Sequence, residues 1–352
     1  MSTHNESNAP VSPPVAKSRF EGDLLEAEVW WRDHQMWLEE RGYMLRPRYH
    51  PNWIPSWHKD WGFDRDFYMR EDGRWIMRSC ILDATRIEDG SAVALKKIST
   101  SAHPYEVIIS RYFSTEPRAS DPANHCVQIH EVLDVPDDPD LKIMVMPFLR
   151  DFSNPSFLTI GEAVEFFRQA FDGLRFIHSH NVAHRDCGKM NIMMDPRPLY
   201  PDLYHFVSIS QKRDLSGTAK HYTRTRFPVK YYFIDFGLSR MYDPVKGPPR
   251  SYPIRGGDKS VPEFKKSLDP CDPFPTDIYY LGNVIRTVFL EEYNGFEFMQ
   301  PLVDDMVQEE PTKRPNMDQV IARFDNILGS LSNWTLRSRL PPKDEIWLFR
   351  YY

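Results

Sequence analysis

The most informative part of this sequence is the run His184-Arg185-Asp186-Cys187-Gly188-Lys189-Met190-Asn191. Asp186 supplies a carboxylate, and Asn191, at the end of the run, supplies an amide oxygen. Phosphoryl transfer uses a carboxylate to accept the proton of an attacking hydroxyl, and it uses oxygen ligands to hold Mg²⁺. We therefore expect Asp186 to act as a base and Asn191 as a metal ligand.

The other groups that this reaction requires occur on both sides of the run. Asp235 opens an Asp-Phe-Gly triplet that follows a predicted strand, and we expect it to be the second and stronger metal ligand. Lys96 ends a Val-Ala-Leu-Lys strand and is expected to bind the α- and β-phosphates of a nucleotide. Glu106, on the next predicted helix, is expected to hold Lys96 as an ion pair. Each motif alone is a weak signal, but together and in this order they indicate a phosphotransferase.

Composition and charge narrow the class of protein. The chain has 352 residues, 41% of them apolar and 27% charged, as in a globular protein with a real core. The net charge of -6 argues against a nucleic-acid or membrane-surface binder. No apolar run is long enough to span a bilayer, and residues 1–20 lack the apolar core of a signal peptide. Four scattered cysteines indicate reduced thiols. We therefore expect a cytoplasmic or nuclear protein.

The pattern along the chain predicts an α+β fold, because strand signals precede helical ones instead of alternating with them. Residues 1–20 are rich in Ser, Pro and Asn, and we expect them to be disordered. The extension 21–66 begins with a predicted helix that stops at Gly42 and continues with a Trp- and Pro-rich segment. We favour packing of that segment on the protein's own body, and a partner-binding surface is the alternative. Mostly strands are predicted over 74–149, with a helix over 103–114, and helices are predicted from 160 onward, with a tail over 332–352.

These motifs resemble those of the eukaryotic protein kinase family. A His-Arg-Asp-Cys run followed by Asn-Ile-Met-Met-Asp is most similar to a fungal, basidiomycete-type group of kinase-domain proteins. The resemblance covers roughly 67–331 and implies a two-lobed fold, with a small β-rich lobe over 67–149 and a larger helical lobe over 150–331. It also implies ATP and Mg²⁺ as cofactors and a protein as substrate.

Further landmarks follow from the same resemblance. Glu263, in Val-Pro-Glu, stands where the family closes its activation segment, and Arg314 matches the arginine that pairs with that glutamate. Asp277 matches the aspartate that holds the backbone of the catalytic loop. Related small-molecule kinases lack the Glu263 element and its arginine. The adenine slot that the resemblance implies is formed by Ile81, Ala94, Met146, Pro147, Leu149 and Met193, with the hinge backbone at Pro147 and Leu149.

The sequence departs from the family at the glycine-rich loop and inside the catalytic loop. Arg74, Ile76 and Ser79 stand where three glycines are expected, although glycine is what lets a backbone approach phosphate closely. The lysine that Ser/Thr kinases place two residues after the aspartate is absent, and Lys189 follows one residue later. Lys189 is expected either to reach the phosphate by another route or to be a solvated loop lysine. The threonine that partners the usual lysine is replaced by Gly256.

Three more features bear on regulation. Ser110 stands where the family has an apolar residue one turn after the helix glutamate, which is expected to loosen that helix. Residues 196–230 form an insertion that is expected to be functional or to be a tethered surface loop. Arg185 is a candidate reader of a phosphate on Ser251 or Tyr252, and a solvated charged loop is the favoured alternative.

The sequence thus predicts a protein kinase that transfers the γ-phosphate of ATP to a protein hydroxyl, with Ser or Thr favoured over Tyr. A pseudokinase that acts as a nucleotide-binding scaffold is the main alternative, because the glycine loop is degenerate. A small-molecule kinase on the same fold is a third hypothesis. The identity of the substrate and the oligomeric state stay open.

Overall fold

A computed structural model describes residues 24–58, 67–76, 78–254 and 256–345 of the chain. The segment 1–20, predicted to be disordered, lies outside these residues. The fold is mixed α+β, with a five-stranded antiparallel sheet and a larger helical part. In none of the described residues is there a helix that is long and apolar enough to cross a membrane.

The sheet has the strand order β1-β2-β3-β5-β4. Its strands are β1 (Tyr43–Met44), β2 (Ile81–Arg86), β3 (Ala92–Ser99), β4 (Glu131–Asp134) and β5 (Leu141–Pro147). The β2–β3 hairpin turns at Gly90, whose φ of +71° lies in the left-handed region that favours glycine. Its register pairs Ile81 with Lys96 and Asp83 with Ala94.

Outside this sheet, the described residues form nine α-helices and several short 3₁₀ helices. The α-helices are α1 (Glu26–Asp33), α2 (Gln35–Glu40), α3 (Glu106–Phe113), α4 (Ile160–Ser179), α5 (Glu263–Lys266), α6 (Phe274–Ile285), α7 (Gln300–Met306), α8 (Met317–Ser330) and α9 (Asn333–Arg337). Short strands between them are β6 (Arg150–Asp151), β7 (Val182–Ala183), β8 (Ile192–Met194), β9 (Tyr231–Phe233) and β10 (Arg240–Met241). The single helix predicted for the extension is two helices, because the backbone leaves the helical conformation at His34.

Side chains alternate across the sheet, so its two faces belong to two different cores. Val93 and Leu95 of β3 face a core shared with Trp31 of α1 and Leu38 of α2. Ile98, on the opposite face, packs with α3 and with the helical part of the protein. The extension therefore covers one face of the sheet, and the other face is left for the candidate site.

The Trp- and Pro-rich part of the extension also packs on the protein itself. Glu28 of α1 is fully buried and accepts hydrogen bonds from the Tyr49 hydroxyl (2.8 Å) and from the Arg48 guanidinium (2.9 Å). Trp57 is buried, and the Trp53 indole donates to Asp72 (3.1 Å). These contacts favour the interpretation that the segment is part of the folded body.

Candidate active site

Lys96 lies in the middle of the sheet and at the centre of the site. Neighbouring strands flank it on both sides, and it is only 8% exposed. Its Nζ forms ion pairs with Glu106 of α3 and with Asp235, the latter at 2.9 Å. Burial acts to lower the pKa of Lys96, but the two carboxylates outweigh it, and the net pKa is raised. Three residues predicted separately from sequence therefore meet in one ion-paired cluster.

The two carboxylates of this cluster differ in their surroundings. Burial raises the pKa of Glu106 in spite of the ammonium beside it. For Asp235 burial acts in the same direction, but the ion pair with Lys96 outweighs it and lowers the pKa. The Asp235 side chain is 40% exposed, so it remains open to a further ligand. Its backbone is left-handed, with φ of 63° and ψ of 73°, an uncommon conformation for a residue with a side chain.

Phe236 follows Asp235 and is fully buried between α3 and the loop that carries Asp186. Its ring centroid lies 5.7 Å from that of Phe113 and 5.0 Å from that of His184. Ser110 is also buried, and its hydroxyl has no hydrogen-bond partner among the described residues. Phe113, one turn after Ser110 on α3, thus makes an apolar contact with Phe236.

Asp186 lies in the loop between β7 and β8, and both of its carboxylate oxygens are held. The Asn191 amide nitrogen donates to Oδ2 (2.9 Å), and the backbone N–H of Gly257 donates to Oδ1 (2.8 Å). Burial raises the pKa of Asp186 more than these hydrogen bonds lower it. Because its amide nitrogen faces Asp186, Asn191 has its amide oxygen left for another group. The Ile234 N–H donates to the backbone carbonyl of Asn191 (3.0 Å), which ties Asn191 to the strand that leads to Asp235.

Asp277 of α6 fixes the backbone of the same loop, as predicted. This fully buried carboxylate accepts hydrogen bonds from the backbone N–H groups of His184 and Arg185, both at 2.7 Å. Cys187 is buried as well, and burial raises the pKa of its thiol well above the ordinary value. A buried thiol of this kind is unreactive, which favours a packing role for Cys187.

Glu263 and Arg314 form the pair that the sequence predicted. The guanidinium makes two hydrogen bonds to the carboxylate, at 2.9 and 2.7 Å. Burial acts to raise the pKa of Glu263, but this bidentate contact outweighs it, and the net pKa is lowered. The pair fixes the end of the segment that begins at Asp235.

Two of the proposed roles are not supported by the geometry. The Lys189 side chain is exposed. Among the described residues it has no hydrogen-bond or ion-pair partner, as expected for a solvated loop lysine. The Arg185 guanidinium donates to two backbone carbonyls, those of Leu238 (3.2 Å) and Tyr252 (2.7 Å). It therefore holds the segment after Asp235 in place and is not turned toward a modified side chain.

The predicted adenine-slot residues come from neighbouring elements. Ala94 of β3 lies opposite Met146 of β5, and Pro147 and Leu149 follow where the chain leaves the sheet. Ala94 and Met193 both pack against the larger core. In order along the elements, the set is Ile81 on β2, Ala94 on β3, Met146 and Pro147 on β5, Leu149 after it, and Met193 on β8.

The residues aligned with the glycine loop are built differently from that loop. The described residues between β1 and β2, 45–58, 67–76 and 78–80, contain several short 3₁₀ turns. Ile76 is buried, and its N–H donates to Glu28 (3.3 Å). The Ser79 carbonyl accepts from the Trp31 indole (3.2 Å). This connection is therefore anchored to α1.

The insertion 196–230, which we call the strap, reaches the sheet beside the hinge. Its Phe206 ring packs edge-on against Phe148, with centroids 4.9 Å apart. The Arg213 guanidinium donates to the Thr85 hydroxyl of β2 (3.4 Å). These contacts could not be predicted from the sequence, because they join residues that are far apart along the chain and belong to no common motif.

A buried polar cluster lies next to the strap and was also missed. Asp83, opposite Ala94 on β2, is paired with Arg46, with Nε 3.0 Å from Oδ2. His205 of the strap is 3% exposed and has its Nε2 3.7 Å from a carboxylate oxygen of Glu71. The extension, the sheet and the strap thus meet at one charged cluster.

The site suits a hard metal ion only together with a ligand. A carboxylate at Asp235 and an amide oxygen at Asn191 are donors that Mg²⁺ accepts, and Mg²⁺ commonly completes its shell with phosphate oxygens and water. Among the described residues there is no group of three or more His, Cys, Asp or Glu that could hold a metal by themselves. A scan against protein-family models and a search of the curated proteins gave no match for this chain.

Proposed function

We propose that this chain is an ATP- and Mg²⁺-dependent protein kinase that phosphorylates Ser or Thr hydroxyls. The observation that carries the proposal is the cluster in which Lys96 is ion-paired with both Glu106 and Asp235. Its members come from a strand, a helix and a loop that are far apart in sequence. A structural ion pair needs only two partners, whereas a third and partly exposed carboxylate suits a site that binds charged ligands.

The proposed roles follow from the position of each group. Lys96, held by Glu106, binds the α- and β-phosphates, and Asp186 accepts the proton of the acceptor hydroxyl. Asn191 and Asp235 would hold Mg²⁺, which neutralises charge on the phosphates when it is bound. Because the chemistry of phosphoryl transfer asks mainly for positioning and charge, these five groups are sufficient for it.

The proposal includes a two-lobed fold, with the nucleotide between the sheet and the helical part and with the hinge at 147–149. The Glu263–Arg314 pair supports a protein substrate, because it fixes a segment that small-molecule kinases lack. Cytoplasmic or nuclear location, and the absence of nucleic-acid and membrane partners, remain predictions from the sequence.

The test is phosphate transfer from labelled ATP with Mg²⁺, to the protein itself and to a mixture of unfolded acidic and basic proteins. We expect label on protein with the wild type and at least 100-fold less with Asp186→Asn, because the base is lost. Equal labelling by both proteins would trace the label to a contaminant. Failure of the wild type to transfer phosphate under any of these conditions would overturn the proposal.

A pseudokinase is the second candidate, and the anchored 45–80 connection favours it. The Ile76 N–H donates to the Glu28 side chain, and the Ser79 carbonyl accepts from the Trp31 indole, so these two residues are held against α1 and are not free to fold over the phosphates of a nucleotide. The scaffold hypothesis predicts that Mg²⁺-ATP raises the melting temperature of the wild type while no label is transferred.

A further inference from the structure

Gly256 lies against the proposed base more closely than any other residue type could. A Cβ atom added at Gly256 would be 2.2 Å from Oδ1 of Asp186 and 2.7 Å from its Cγ. Contacts under 3 Å are essentially never made by real Cβ atoms. Neither Gly256 nor Gly257 has a left-handed φ, so the backbone conformation does not require glycine at either position. The absence of a side chain at Gly256 is therefore what allows the backbone to come this close to Asp186.

This close approach has a chemical result at the next residue. It brings the Gly257 N–H to 2.8 Å from Oδ1 of Asp186, while the Asn191 amide holds Oδ2 at 2.9 Å. A carboxylate fixed at both oxygens by groups from separate segments has one orientation. The remaining lone pairs of the two oxygens then also have fixed directions, so that one of them can accept the proton of an incoming hydroxyl.

We propose that Gly256 and Gly257 are positioning residues for the base of the transfer reaction. The inference rests on the proposed function and concerns the same site. The sequence has Gly188 two residues after Asp186, and Gly256 lies near the position where the kinase resemblance leads one to expect a threonine. A backbone N–H, admitted by a residue without a side chain, takes over the ordering of Asp186.

The experiment compares Gly256→Ala with Gly329→Ala in the full chain. Gly329 is exposed on α8, and a methyl group there would meet nothing within 4 Å. We expect Gly256→Ala to lower kcat about 100-fold, the effect of misplacing a reacting group by about 1 Å. Its KM for ATP and its melting temperature should stay near those of the wild type, because the three atoms nearest to the added methyl group all belong to Asp186. Gly329→Ala should keep its kcat within about threefold of the wild type.

A second variant removes the donor itself. Gly257→Pro has no N–H at this position, so it should lower kcat in the same way without adding an atom at 256. It also keeps the inference testable if Gly256→Ala does not fold. Its nucleotide-induced thermal shift should match that of the wild type, which separates loss of positioning from loss of binding.

Each outcome has a distinct meaning. Unchanged kcat in Gly256→Ala, or an equal fall in Gly329→Ala, would overturn the inference and leave the proposed function standing. A rise in kcat would also overturn it, because the glycine segment would then be a shield over Asp186. An inactive wild type would overturn the proposed function, and this inference with it.

Discussion

Asp277 fixes the backbone of the loop that carries Asp186. Its buried carboxylate accepts the backbone N–H groups of His184 and Arg185, and Asp277→Ala would leave both without an acceptor. Each unsatisfied buried donor costs about 1–3 kcal/mol, so we expect the free energy of unfolding to fall by about 2–5 kcal/mol. Urea denaturation measures this change. The exposed Asp325→Ala is the control and should stay within about 0.5 kcal/mol of the wild type.

The Glu263–Arg314 pair gives a pH-dependent prediction. Because the folded pKa of Glu263 is lowered below its ordinary 4.5, the pair stabilises the protein above that value. The stabilisation is lost as the pH falls through the lower, folded pKa. We expect the free energy of unfolding of the wild type to fall more steeply between about pH 5 and pH 3 than that of Glu263→Gln. Parallel curves for the two proteins over that range would show that the pair does not contribute.

At the scale of elements, α1 is bound to the sheet mainly through Trp31. This side chain is fully buried in the core beneath β2, β3 and β5, and its indole donates to the Ser79 carbonyl. Trp31→Ala should lower the free energy of unfolding by about 3–5 kcal/mol, because it leaves a large cavity. Met36 of α2 is 64% exposed, and Met36→Ala should change the free energy of unfolding by less than about 0.5 kcal/mol. A similar small effect of both variants would mean that the extension is not part of the core.

A separate prediction concerns the contact between the strap and Phe148. Phe206→Ala removes the ring that packs on Phe148 and on which the Arg213 guanidinium lies. We expect amide hydrogen exchange to become faster in peptides that cover Phe148 and β2, because a tertiary contact beside them is lost. Exchange in α6, a separate segment of the chain, should not change. Lys220→Ala, an exposed change on the strap, is the control, and equal exchange in the two variants would contradict the prediction.

Elements with a local signature were predictable, and contacts between distant segments were not. The β2–β3 hairpin follows from alternation and from the turn at Gly90, and it places Lys96 in the middle of the sheet. The buried Glu28 and the strap contacts join residues that no motif relates in sequence. That Ser110 loosens α3 stays a prediction, and the contact of Phe113 with Phe236, one turn further along, was not visible in the sequence. The sequence shows only that glycine lies near the position of an expected threonine. How closely Gly256 approaches Asp186 is a distance that only the structure reveals.

One face of the sheet packs against the extension, and the other carries the cluster that we propose binds the nucleotide. Lys96 and Lys97 are adjacent on β3, so their side chains point to opposite faces. Lys96 meets Glu106 and Asp235, whereas the Lys97 ammonium lies 4.5 Å from the centroid of the Trp30 ring. The same chemical change at these neighbours therefore tests the division.

We expect Lys96→Met to weaken Mg²⁺-ATP binding about 10- to 100-fold, the loss of about 1.5–3 kcal/mol for hydrogen bonds to a charged group. Lys97→Met should leave nucleotide affinity unchanged and instead lower the melting temperature of the free protein, since its contact with Trp30 is lost. Titration of the nucleotide-induced thermal shift measures both quantities in one assay. Equal losses of affinity in the two variants would mean that the nucleotide does not bind on the Lys96 face, and the assignment of that face as the ligand side would then fail.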